Sequence, residues 1–437
     1  MVRNASWMLG GQALNFAVQA AYFILLARLL GAGQYGVFAG AFALVSIVTP
    51  YSAMGAGMLF MRYAPKDRKL APVYWGNSLV LTAASSLLMA IVLGEVGARF
   101  THIDSRALFV ALVFANCLLS QVVLIGGFVF QAFEKMRLTA MLTLLSNLMR
   151  LAALILMRLV WGHASALQWA YGLTLGTLFA AAVSMVLVYR EIGLPAADLR
   201  LAFQRLWEGV GYSFAGSTQA VYNDVDKTLL SHYGMTAQNG PYTLAYRMID
   251  FATSPIVSVD AVILPRYFQY GYERLQEVVS LARKAMRSVT WMGMGIGAAI
   301  LAVSPVIPYL VGDGFSAVVG ALQILSCLPL LRGIHRVSGS ALTGMGFQTV
   351  RTISQISVAA VNLLLNVCWI PVYGWVGAAW SSVLSDGLLA VINSLLFLAI
   401  RNGWIRRPVA MPSEVIETDE IGSGDYSTAE VGEEVAR

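Results

Sequence analysis

The sequence predicts an all-α integral membrane protein of about twelve transmembrane helices, arranged as two six-helix, pseudo-symmetric halves around a central cavity. Three observations predict it. The 437 residues are 58% hydrophobic and only 12% charged, whereas a soluble domain carries roughly 25% charged residues. Twelve apolar runs divide almost the whole chain, at about 6–30, 36–61, 73–98, 107–131, 138–162, 165–189, 209–233, 239–264, 288–311, 315–345, 350–371 and 373–400. Each is long enough to cross a hydrocarbon core of about 30 Å as a helix. The basic residues between the runs then alternate from rich to poor.

Helices are the required form, because lipid offers no hydrogen-bond partner to an open backbone. The ten-residue dyad alternation of barrel strands is absent from the sequence. The first run, from about Trp7 to Leu30, is too long for the apolar region of a signal peptide and lacks a small-residue cleavage site, so it reads as a membrane helix. Five further runs complete a first half over residues 1–190. The connecting stretch 191–208 reads as a basic amphipathic linker on the cytoplasmic surface, and residues 266–287 as a second such segment. The second half spans 209–402. Residues 403–437 form a polar tail, acidic beyond Pro408, whose composition predicts disorder.

With the N-terminus placed in the cytoplasm, nineteen Lys and Arg fall on inside segments. Four fall outside: Arg28, Arg99, Arg106 and Arg158. The bias puts both termini on the cytoplasmic side, and a miscounted helix would scramble it. Trp75, Trp291 and Trp404 lie near helix ends, where interfacial anchoring is expected. The net charge of +6 does not point to nucleic acid, since its carriers sit in short loops. Cys117, Cys327 and Cys368 lie in apolar runs with neither metal-ligand nor disulfide spacing, and read as small buried apolar side chains.

No nucleotide loop, metalloprotease motif or nucleophile–base set is present. No catalytic or metal-binding residue is therefore assigned, and the chain is not expected to be an enzyme or to hold a cofactor. Active transport would have to draw on an ion gradient or on substrate supply.

An internal repeat supports the two halves. LLGAGQYGVFAGAFALVSIVTP at 29–50 aligns with HYGMTAQNGPYTLAYRMIDFATSP at 232–255, pairing Gly36, Phe38, Ala41 and Pro50 with Gly240, Tyr242, Ala245 and Pro255. Both elements start the second helix of a six-helix set. Because six is even, the halves are parallel repeats about an axis along the membrane normal, an arrangement suited to alternating access.

Ionisable groups inside helices cost roughly 2.5–3.5 kcal/mol each at the bilayer centre, so they should face a cavity or a partner. Gly216, Gln219, Asn223 and Asp226–Lys227 recur at helical spacing as one polar face, with Asp224 beside it. Gln12, Asn15, Gln19 and Tyr22 form an uncharged counterpart in the first half. Arg247 and Asp250 stand at i, i+3. Arg332 and Arg336 share a face with His335 adjacent, Arg150 stands beside Asn147, and Asp386 lies in the last run. Two readings stand side by side for these groups: internal pairs that hold helices together, or a lumen-facing strip that binds substrate and a coupling cation.

At the repeat the chain also resembles a known family. ARLLGAGQYGVFAGA, DKTLLSHYG…NGPYTLAYRM…ILPR (226–266) and VNLLLNVCWIPVYGWVGAAWSSVLSD (361–386) are similar to Wzx-type polysaccharide flippases. These belong to the superfamily that also holds multidrug exporters and the lipid II flippase. The resemblance covers residues 1 to about 402. It departs from the lipid II branch, which typically has fourteen helices and more basic residues in its first two. The resemblance implies transport of an undecaprenyl-pyrophosphate-linked oligosaccharide across the bacterial inner membrane, for lipopolysaccharide or other polysaccharide biosynthesis. Polysaccharide polymerase and chain-length machinery are the implied protein partners, with membrane lipids around them.

Guanidinium forks match phosphate oxygens. Arg150, Arg247, Arg332 and Arg336 are therefore expected to line a cationic cavity, with Lys227, Gln219 and Asn223 completing the substrate site. Asp224, Asp226 and Asp250 are the candidates for H+ or Na+ coupling. The competing reading is an ion-coupled multidrug exporter, which an arginine-rich cavity would disfavour for cationic substrates because like charges repel. A membrane-bound glycosyltransferase would need large external loops, and those here are short.

Overall fold

The computed structural model describes residues 2–405, and the side chains of residues 2–17, Ala215 and Asp313 fall outside that description. The acidic tail from 406 onward lies outside the described residues as well.

Among the described residues the chain is helical nearly throughout, with no strand. In order the helices are α1 (Val2–Ser52), α2 (Ala56–Tyr63), α3 (Ala71–Val92), α4 (Ala98–Thr101), α5 (Arg106–Val113), α6 (Ser120–Ala132), α7 (Met136–Trp161), α8 (Ala166–Ile192), α9 (Leu199–His232), α10 (Thr236–Tyr270), α11 (Leu275–Val303), α12 (Ile307–Val311), α13 (Ala317–Leu325), α14 (Leu328–Gly344), α15 (Gln348–Tyr373) and α16 (Trp375–Arg401). Single π turns at 93–97 and 114–119 carry α3 into α4 and α5 into α6 without a break.

Their ends follow local chemistry. Ser165 and Gln168 form a reciprocal capping box at the start of α8, which satisfies two of the amide donors a helix start leaves open. Asp198 caps α9 through the Leu201 amide at 3.1 Å. Gly374, at φ 58°, turns α15 into α16, a left-handed conformation costly for any residue with a Cβ.

Among the described residues ten helices are long and apolar enough to cross a membrane, from Val18–Tyr63 to Trp375–Arg401. The sequence reading expected about twelve crossings, and two physical reasons account for the difference. α1 is interrupted at Gly31, whose φ of 69° and ψ of 167° are not helical, so two apolar runs appear as one element. α9 is 34 residues long but carries Asp224, Asp226 and Lys227 in its apolar run, which lowers its hydropathy. Two expected surface segments also join longer helices. Residues 199–208 form the first turns of α9, and 275–287 the first turns of α11, leaving 193–198 and 271–274 as connections.

Helix ends expected to share a side do meet. At one end Glu191 pairs with Arg68 at 3.1 Å and with Lys135 at 2.5 Å, and Glu208 pairs with Arg62. At the other end Arg106 pairs with Glu95 at 3.0 Å, the Arg28 Nε donates to the Leu310 carbonyl at 2.5 Å, and His102 bonds the His232 carbonyl at 2.8 Å.

The halves meet along α1 and α9. Ser217 Oγ donates to the Ile47 carbonyl at 2.8 Å, Gly40 abuts Ser231, and Gly55 abuts Gly209. α10 joins them at the end that carries the repeat. There every residue from Asn239 to Tyr246 is buried, whereas Val257, Ser258, Ala261, Val262 and Pro265 toward the other end are exposed. Trp291 and Trp404 are exposed, but Trp75 is buried against the first half's core and is not an interfacial anchor. Cys117 is buried as expected, Cys327 is half-buried, and Cys368 is exposed.

Candidate functional site

Below the end where α10 joins the halves, four helices of the second half bring their charges together. α9 supplies Asp224, Asp226 and Lys227, α10 supplies Arg247 and Asp250, α14 supplies Arg332 and His335, and α16 supplies Asp386. The helical repeat puts Asp224 and Lys227 one turn apart, and Arg247 and Asp250 likewise, so each pair shares a face.

Lys227 is 1% exposed. Its ammonium lies 3.0 Å from Asp226 Oδ1 and 3.6 Å from Asp224 Oδ1, donates to the Asn223 carbonyl, and sits 3.8 Å from the Tyr246 ring centroid. Tyr242 Oη donates to the second Asp226 oxygen at 2.5 Å. Arg332 is held on three sides: Nη1 to Asp250 at 2.7 Å, Nε to Asp386 at 3.1 Å, and Nη2 to Tyr246 Oη at 2.8 Å. Tyr222 Oη donates to Asp386 at 2.6 Å, and His335 lies 3.6 Å from the same carboxylate. Arg247 is held more loosely, 3.5 Å from Asp224 and 3.7 Å from Asp250, and its side chain is 26% exposed.

One contact ties this network to the first half. Ser46 Oγ on α1 donates to Asp224 Oδ2 at 2.7 Å. Asp224 is thus shared by Ser46, Lys227 and Arg247, one group from across the boundary and two from its own half.

The expected cationic cavity is corrected by these contacts. Four carboxylates, Asp224, Asp226, Asp250 and Asp386, face three cations, Lys227, Arg247 and Arg332, so counted as ions these seven carry one formal negative charge. Arg332 and Lys227 are tied within it. Arg336 is half-buried, with no carboxylate within 4.0 Å among the described residues and its Nε unpartnered. Arg150 stands apart in the first half, where Nη2 donates to Ser120 Oγ at 3.1 Å and Nε is unpartnered. Gln219 is exposed and donates to Asn223 Oδ1 at 3.3 Å. The side chains of Gln12 and Asn15 lie outside the described residues.

Arg247 also opens into a cavity of about 420 Å3 between Ala20, Phe23 and Ile24 of α1 and the facing surfaces of α10 and α11. Its lining is otherwise almost entirely apolar. A single guanidinium at the mouth of a hydrocarbon-lined space can hold a phosphate while alkyl chain fills the rest.

Sequence reasoning missed the tyrosines and Ser46. Tyr242, Tyr246 and Asp250 are spaced by four within GPYTLAYRMID, one stripe beside Arg247, and that spacing was a usable signal. Ser46 had none, since its partner is 178 residues away. The Asn362–Asn366 pair of the family-like segment is structural: Asn366 donates to Asn362 at 3.0 Å, and Asn362 to Ser385 at 3.0 Å, which fastens α15 to α16.

The described residues thus form a multi-pass membrane bundle of two abutting halves, with a buried charge network at their boundary. A family model described as polysaccharide biosynthesis protein matches residues 1–270, and the chain belongs to that family. No curated protein sequence matches it. Its fold is that of several solved transporters. A multidrug resistance MATE family transporter of the MOP superfamily, in an inward-facing conformation, superposes with a TM-score of 0.69 at 15% identity, covering 89% of this chain and 94% of that one. The lipid II flippase MurJ, in an inward closed conformation, gives 0.70 at 12% identity, covering 90% and 89%. An outward-facing MATE structure gives 0.58 at 14% identity, covering 90% and 94%.

Proposed function

We propose that the protein is a flippase that carries an undecaprenyl-pyrophosphate-linked oligosaccharide across the bacterial inner membrane by alternating access. The observation that carries this reading is Arg247, a partly exposed cation set in an apolar cavity between the halves, in a chain of the polysaccharide biosynthesis family. Its ion pairs at 3.5 and 3.7 Å are longer than a good charge-assisted hydrogen bond, so a pyrophosphate oxygen can displace them. The polyprenyl chain leaves through the apolar opening, and the sugars occupy the polar face of α9 at Gln219 and Asn223.

In this reading the end joined by the repeat is periplasmic and the basic end cytoplasmic. The structure then corresponds to a state closed to the periplasm. The network's single excess negative charge is the seat of coupling: a proton or Na+ neutralises it through Asp224, Asp226 or Asp250, loosens the hold on Arg247, and permits the halves to rock.

The test is flipping of a fluorescent undecaprenyl-pyrophosphate oligosaccharide in proteoliposomes. Arg247→Ala should abolish flipping while the protein still inserts and unfolds at its normal temperature. Wild-type rates in that variant would refute the assignment. A multidrug exporter is the second reading, and one observation favours it: the charge balance removes the repulsion that an arginine-rich hollow would impose on cations. Coupled efflux of an organic cation, with no flipping of the lipid-linked sugar, would establish it instead.

A further inference from the structure

A second groove lies away from the charge network, between α11, α14 and α16. It encloses about 460 Å3. Along α11, Arg283, Arg287, Trp291 and Met294 recur every three or four residues and form one stripe of the helix. Arg401, at the end of α16, closes the same wall. Val337 and Phe397 line the floor, where Ser338 and Ser394 bond each other at 3.2 Å.

Two features mark the groove as a binding surface. Arg283, Arg287 and Arg401 converge at one end, and none of the three has a carboxylate within 4.0 Å among the described residues, unlike the arginines of the network. Among the described residues Arg401 has a hydrogen bond to the adjacent Asn402 and no ion pair. Beyond the arginines the wall is apolar and open: Trp291 is 69% exposed, Met294 50% and Leu398 38%. Positive charge at one end and hydrocarbon beyond it match a headgroup and its chains, at the end where the arginines reach the membrane interface.

We propose that this groove holds one anionic phospholipid of the adjacent leaflet. Its phosphate sits on Arg283, Arg287 and Arg401, and an acyl chain lies along Trp291, Met294 and Leu398. The bound lipid bridges α11 to α16, so it stiffens the second half as a body.

Native mass spectrometry and thermal unfolding of the full-length protein in neutral detergent test it. Added phosphatidylglycerol should give a one-to-one complex and raise the unfolding midpoint, while phosphatidylethanolamine should do neither. Arg287→Gln should weaken the complex roughly tenfold or more, as loss of one charge-assisted contact does. Trp291→Ala should weaken it without changing charge. Arg274→Gln, an exposed arginine outside the groove, should leave it unchanged. Equal weakening by Arg274→Gln would show attraction by overall charge and overturn the site. Equal stabilisation by inorganic phosphate alone would show that no lipid chain is held, and would overturn it too.

Discussion

Gly36 and Gly240, the matched glycines of the internal repeat, pack directly against each other where the two halves meet. A Cβ on Gly36 would overlap the Thr236 carbonyl oxygen and lie 2.9 Å from the Gly240 nitrogen, and one on Gly240 would overlap the Ala32 carbonyl oxygen. The repeat is therefore reciprocal, each half offering the same bare backbone to the other.

Gly36→Val should block this closure, because backbone atoms cannot yield as a flexible side chain can. Flipping should fall more than about tenfold, equivalent to roughly 1.4 kcal/mol on the closed state, with normal membrane insertion. Gly33→Ala, with nothing within 4 Å of the added Cβ, should behave as wild type. Normal flipping by Gly36→Val in proteoliposomes would show that closure at this end is not needed.

Arg332 should be the costliest single side chain to remove. Arg332→Ala leaves the 1%-exposed Asp386 without its cation and Asp250 with only the looser Arg247 at 3.7 Å, and unpairing a buried ion pair costs about 3–5 kcal/mol. Arg332→Met combined with Asp386→Leu should lose less than the sum of the two single losses. Thermal unfolding of the four proteins measures the coupling, and strict additivity would mean the two residues do not interact.

Ser46→Ala should change the balance of states and leave flipping possible. It removes the 2.7 Å bond to Asp224 across the boundary, a loss of about 1.5–3 kcal/mol for a bond to a charged group. The halves should separate more readily, by roughly tenfold or more in population. Distances between spin labels placed on α1 and α10 would report the shift, and an unchanged distribution would count against Ser46 as a latch.

Asp250 is the most exposed carboxylate of the network, at 38%. Asp250→Asn should abolish the acceleration of flipping by an imposed proton or Na+ gradient and spare the ungated rate. Full acceleration in that variant would move coupling to Asp224 or Asp226.

Much of the architecture was legible in the residues. The apolar runs matched the helices to within a few residues at most ends, because the 20-residue span demanded by a bilayer is a local property of composition. Which first-half connections share a side was legible too: Arg68 and Lys135 meet Glu191, and Arg62 meets Glu208, as their loop positions required. Count was harder. The sequence separates two runs near Gly31 that the structure joins into the single kinked α1, and it counts α9, whose charges lower its hydropathy below that of the other spans.

The site was legible only as an inventory. Arg247, Asp224, Asp226, Lys227, Asp250 and Arg332 were all singled out, with internal pairing left open beside a substrate-binding strip; which residue pairs with which was not legible, and Arg150 and Arg336 were grouped with them although neither has a carboxylate within 4.0 Å among the described residues.

By itself the sequence determined which segments enter the membrane, which connections share a side, and which charges would be too costly to leave in lipid. Hydropathy, helical spacing and loop charge act over a few residues, so the chain states them directly. Only the tertiary structure decided that Arg332 answers Asp386 and Asp250, that Ser46 reaches Asp224, and that Arg247 keeps a face free. Pairing between helices depends on their rotation and depth. Those follow from the packing of whole surfaces, with glycines such as Gly36 and Gly240 setting how closely two backbones approach.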